Sequence, residues 1–114
     1  TDSDMFRLQV EAMQVSAYVH WRNGDTDSAL QYVNDALAIA SRNDFGLRKV
    51  SLRVLLGRIL ASRNEKSAAR QILTEASRLA AGLGYARAVE GAEDELVKLN
   101  VDTIHIFKES AARS

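Results

Sequence analysis

The side chains best suited to chemistry are two histidines, three consecutive acids and a run of arginines. His20 and His105 lie far apart, each without a second His or a Cys at ligand spacing, so both read as packed or surface groups. Glu93, Asp94 and Glu95 are consecutive and fan around a helix instead of converging on a metal. Gly82 and Gly84 end a helix and are too weak a signal for a nucleotide loop. No nucleophile elbow, phosphate loop or spaced carboxylate pair is visible. The expectation is a protein that is not an enzyme, with no catalytic residue, no metal and no cofactor. Arg48, Arg53, Arg58 and Arg63 recur every five residues. Five steps of about 100° scatter them around a helix axis, so they form no single basic stripe for a nucleic-acid groove.

Composition says what must carry these residues. A chain of 114 residues, 46% hydrophobic and 26% charged, is one modest domain and too apolar for disorder. It has no proline and is dominated by helix formers, which favours an all-α chain. With no cysteine there is neither a disulfide framework nor a thiolate site, in keeping with an intracellular, cytoplasmic or nuclear location. No apolar run approaches the roughly 18–20 residues of a membrane helix, and Thr1–Asp4 lacks the features of a signal peptide. Thr1 is not an initiator Met, which suggests a piece of a longer chain.

Net charge is zero but unevenly spread. Lys and Arg number two against six acids in residues 1–40, nine against three in 41–80, and four against six in 81–114. A basic middle between acidic ends suits an acidic partner or head-to-tail matching of neighbouring units.

Apolar residues recur at helical spacing through most of the chain. Met5, Leu8, Ala12, Val15 and Val19 define a first helix, broken at Asn23-Gly24-Asp25. Ala29, Val33, Ala36, Leu37 and Ala40 define a second, capped by Asp25, Thr26 or Asp27. A third, from Leu47 to Ser62, is apolar over most of its circumference and is expected to be the central helix. A fourth, from Ser67 to Ala81, carries Ala69, Ile72, Leu73, Ala76, Leu79 and Ala80. A fifth, about 86–99, has Val89, Ala92, Leu96 and Leu99 on one side and acids elsewhere. The segment 101–114, with Val101, Ile104, Ile106 and Phe107, is read as a C-terminal tail, a short sixth helix or an extended segment lying on the stack.

A shift of forty residues pairs Asp25 with Glu65, Ala29 with Ala69, Val33 with Leu73, Ala36 with Ala76, Ala40 with Ala80 and Phe45 with Tyr85. Such an echo is the mark of a helical-hairpin repeat. The run Gly24-Asp25, Ala29, Val33, Ala36 resembles the second half of a tetratricopeptide repeat, and Leu56-Gly57 matches the family's Leu-Gly pair. The pitch is closer to the longer, MalT-like variant, and the resemblance covers about residues 8–99. The first unit departs from the pattern with Ser16-Ala17 for Leu-Gly, and Asn64 replaces the turn glycine of the second.

The resemblance implies a right-handed superhelical stack of antiparallel helix hairpins: repeats at about 5–43 and 45–83, a capping helix at about 86–99, and a repeat domain spanning 1–100. It also implies a concave groove lined by the first helix of each hairpin. By register that groove carries Gln14, Tyr18, Trp21 and Arg22, then Val54, Arg58 and Ser62. Tyr, Trp and Arg serve as binding anchors because they desolvate large areas and still direct hydrogen bonds. Tyr18, Arg58 and Lys98 stand where some relatives clamp a partner's C-terminal carboxylate, so that clamp is mostly missing. The expected partner is a protein or peptide, with no membrane. Self-association or further repeats would complete a stack that two units alone leave marginal. A sensor array in a signalling ATPase or transcription activator is the alternative, and a nucleic-acid binder the less favoured one.

Overall fold

The computed structural model describes the backbone of residues 2–113 and the side chains of 4–99. Five helices follow in order: α1 (Asp2–Arg22), α2 (Thr26–Arg42), α3 (Gly46–Ser62), α4 (Lys66–Leu83) and α5 (Ala86–Arg113). The described residues contain no strand.

The junctions between helices repeat one geometry every twenty residues. Gly24, Asp44, Asn64 and Gly84 take positive φ of 85°, 57°, 64° and 77°. The next residue's N–H then donates back across the turn: Asp25 to His20 O, Phe45 to Ala40 O, Glu65 to Leu60 O and Tyr85 to Ala80 O, each 2.9 Å. This left-handed stop uses residues with little or no penalty in that conformation, Gly, Asn and Asp. Turns of two or three residues leave no room for anything but antiparallel neighbours, and α1 packs on α2 as α3 does on α4.

The same period explains α5. Its next turn position would be residue 104, where the chain has Ile, a β-branched residue that the left-handed region disfavours. The helix accordingly runs on to Arg113 and does not stop near Leu99. Any packing of Val101–Phe107 against the stack lies outside the described side chains.

Helix α3 is the hub, as its sequence predicts. Leu52 joins Val10, Ala36, Ile39 and Ala40 in one cluster, while Leu55, Leu56 and Ile59 join Ala17, Ala29 and Val33 in another. Ala69, Leu73 and Leu99 form a third, across α4 and α5. Each fully buried Leu or Ile contributes about 1.5–3 kcal/mol. Fully buried alanines, Ala29, Ala36 and Ala40 on α2 with Ala69, Ala76 and Ala80 on α4, let neighbouring helices approach closely. No polar side chain is buried among the described residues.

Two expectations about the core change. The α1 stripe of Met5, Leu8, Ala12, Val15 and Val19 faces solvent; the buried side of α1 is Val10 and Ala17, with Met13, His20 and Trp21 partly covered. Leu47, on the first turn of α3, is also exposed.

Candidate partner-binding groove

The first helices of the hairpins, α1 and α3, meet side by side through a cluster centred on Trp21. Its indole Nε1 donates to Ser62 Oγ at 3.0 Å, and that hydroxyl donates to Ile59 O at 2.7 Å. Tyr18 meets the indole edge-on, with ring centroids 5.8 Å apart. The Arg58 guanidinium lies 4.6 Å from the indole centroid and that of Arg22 5.8 Å, so two cations address one ring. Arg58 Nε also approaches Glu95 Oε1 of α5 at 3.7 Å.

A second cluster sits further along the same side. Arg48 of α3 donates to Gln14 Oε1 and Glu11 Oε1 of α1, each at 3.0 Å. Between the two lies an open cleft of about 500 Å³ bordered by Tyr18, Ser51, Val54 and Leu55. It shares Arg48 with a cleft of about 400 Å³ beside Phe45 and Arg58 with one of about 240 Å³ beside Trp21 and Lys98. The three make one trough along α1, α3 and α5, crossed by two arginine bridges.

Of the side chains expected here, Tyr18, Trp21, Arg22, Arg58 and Ser62 come together, with Val54 in the adjoining cleft. Gln14 borders the same cleft, tied to Arg48. Sequence reasoning missed Glu11, Arg48, Ser51 and Glu95. The register that gives Gln14 and Arg58 also places Glu11 and Ser51 on that side, one turn before Gln14 and two before Arg58. The Arg48 and Glu95 contacts required the packed neighbours.

The arginines of α3 and of its C-cap, Arg63, diverge, as their spacing requires. Arg48 reaches α1, Arg58 reaches α1 and α5, and Arg63 reaches Asp27 Oδ1 (2.6 Å) and Thr26 Oγ1 (3.0 Å) on α2 as well as Glu65 (3.0 Å). The Asp27 and Glu65 carboxylates raise the pKa of Arg63 above its ordinary value. These cations staple four helices together and present no continuous basic stripe.

His20 takes a structural place. Its Nδ1–H donates to Ser16 O at 2.7 Å and its ring meets that of Tyr32 at a tilt of 37°, with centroids 5.2 Å apart. His105 lies outside the described side chains.

Comparison with known protein families gives a match to the tetratricopeptide repeat over residues 9–81, which spans α1 to α4 and both hairpins. The chain belongs to the tetratricopeptide repeat family. No curated protein and no solved structure matched it. As a tetratricopeptide repeat it is a protein–protein interaction module. No helix among its described residues is long and apolar enough to cross a membrane.

Proposed function

We propose that this chain holds a peptide or a partner helix in the trough along α1 and α3. The observation that carries the reading is the Trp21–Arg58 stack, with Tyr18 beside it and 45% exposed. Tyr18 offers an aromatic face and a hydroxyl at the edge of an open cleft whose floor includes Val54 and Leu55. A partner's apolar side chain fits that floor. Its backbone or acidic groups meet Arg58 and Arg22, which keep exposed faces. Trp21 acts chiefly as the platform that orients these groups, since its N–H is already engaged by Ser62.

The test is selection of binders from a random peptide display library, followed by titration against Tyr18→Ala and Arg58→Ala. Selected peptides should lose tenfold or more in affinity for each variant while both variants melt cooperatively. Peptides that bind both variants as well as the parent would remove the groove from consideration. Affinity falling steeply with salt for oligonucleotides, and not for peptides, would favour nucleic acid instead.

A further inference from the structure

The trough changes chemistry at the end beyond Arg48. There the cleft of about 400 Å³ is walled by Phe45 and Tyr85, with Arg7, Glu11, Arg48 and Ser51 around it. Among the described residues that border it, two arginines stand against one glutamate, an excess of one positive charge.

The helical repeat does not call for these charges. Forty residues apart, Arg48 corresponds to Leu8 on α1, and Arg7 to Leu47 on α3. Both leucines are exposed, so packing sets no requirement at either position. A departure from the repeat that packing does not demand is where a site is expected. The aromatics do repeat, but Phe45 stands at the N-cap of α3, where its side chain makes no capping bond. Tyr85, its counterpart, is 39% exposed.

Donors remain for a ligand. Arg48 carries five N–H groups, and among the described residues Gln14 and Glu11 take two of them. The half-buried Ser51 has no hydrogen-bond partner for its hydroxyl among the described residues. The Arg7 guanidinium lies 5.3 Å from the Phe45 ring centroid, so cation and aromatic face are paired in one wall. Glu11 is held 3.0 Å from Arg48, which screens its charge and fixes the guanidinium.

We infer that this cleft is a binding site for a small aromatic monoanion of the arylacetate class. The ring lies against Phe45 and Tyr85, and the carboxylate takes the remaining Arg48 donors, Arg7 and the Ser51 hydroxyl. A single negative charge balances the cleft, whereas a second would meet Glu11. The volume is near the lower end of the range of about 300–1,000 Å³ for small-molecule sites, which suits one ring. This site goes beyond the peptide reading and does not rest on it.

The test is titration of the full ¹⁵N-labelled chain with phenylacetate, followed by amide chemical shifts. The amides of Phe45, Ser51 and Tyr85 should shift and saturate at millimolar concentration or below, the affinity open to a ligand of about ten heavy atoms. Phenylacetamide, which lacks the charge, and cyclohexylacetate, which lacks the aromatic face, should each bind about fivefold or more weakly. Arg7→Gln and Tyr85→Ala alter exposed side chains and should leave Tm within about 2 °C while each weakens phenylacetate about fivefold or more. Arg78→Gln, exposed on α4 and outside the cleft, should leave binding unchanged. Absence of a saturable shift, equal binding of the three probes, or an affinity that both cleft variants leave unchanged would overturn the inference. Acetyl-Glu-Phe-amide binding about tenfold more tightly than phenylacetate through the same amides would overturn it too, because the cleft would then be one end of a peptide groove.

Discussion

Gly57 and Leu73 approach so closely that a Cβ on Gly57 would stand 2.6 Å from Leu73 Cγ. Leu73 is 1% exposed and has nowhere to turn. Forty residues earlier the same pair is Ala17 and Val33, both fully buried in one cluster. One methyl-sized volume has moved from one helix to the other, leaving the same total. Gly57→Ala should therefore destabilise despite better helix propensity: overpacking costs about 1–3 kcal/mol and the propensity returns about 1. Leu73→Val alone should cost about 1 kcal/mol. The double variant reproduces the first hairpin and should match or exceed the parent, with a coupling of at least about 1 kcal/mol in urea denaturation. Additive single effects would show that the two helices relax apart.

Asp44 and Asn64 occupy left-handed turn positions that Gly24 and Gly84 fill elsewhere. The conformation costs a non-glycine residue roughly 1 kcal/mol, least for Asn and Asp, and a more flexible unfolded chain offsets part of any gain from Gly. Asp44→Gly and Asn64→Gly should each raise stability by about 0.5 kcal/mol, read as a higher urea midpoint at unchanged slope. The two turns share no side-chain contact, so the gains should add. A loss at either position would mean that the Asp or Asn side chain sustains its turn.

The parts of the fold legible in the sequence are those that both hairpins repeat. Ala29, Val33, Ala36 and Ala40 recur as Ala69, Leu73, Ala76 and Ala80, and all are buried. The halved period of the turns escaped because Asp44 and Asn64 do not look like Gly24 and Gly84, although all four accept positive φ. Periodicity also selected the wrong side of α1, since the Met5–Val19 stripe is as regular as the one through Val10 and Ala17. Only the neighbouring helix decides which side is covered. Register put Tyr18, Trp21, Arg58 and Ser62 on one side of α1 and α3, but the Trp21–Ser62 bond spans 41 positions and no spacing rule predicts it.

Trp21 is the sole tryptophan and reports on the contact between α1 and α3 by fluorescence. Ser62→Ala removes the partner of its N–H and Arg58→Ala the cation over its face. Each should shift emission to longer wavelength and raise quenching by iodide while the helical circular dichroism stays unchanged. At this half-exposed site the Trp21–Arg58 contact should couple by about 0.5–1 kcal/mol in a double-mutant cycle of thermal unfolding. Unchanged emission in both variants would mean that the indole is held by Tyr18 and α1 alone.

Asp25 gives stability a pH dependence of known sign. Hydrogen bonds from the side chain and backbone of Ser28 hold its carboxyl below the ordinary value of 3.8, with a smaller favourable contribution from nearby His20. The Ser28 backbone N–H donates to Asp25 Oδ1 at 3.1 Å, so the charge caps the start of α2. A carboxyl whose folded pKa is depressed binds its proton more readily unfolded. Its contribution is complete above 3.8 and is lost as pH falls through the folded value. Asp25→Asn keeps an oxygen acceptor for the same N–H and removes the titration. The difference in Tm between parent and variant should be present a little above pH 3.8, then shrink as pH falls and level off in stronger acid. Every other acid titrates in both proteins and cancels in the difference. A difference that grows as pH falls below 3.8 would reverse the sign of the shift and place the Asp25 charge in an unfavourable field.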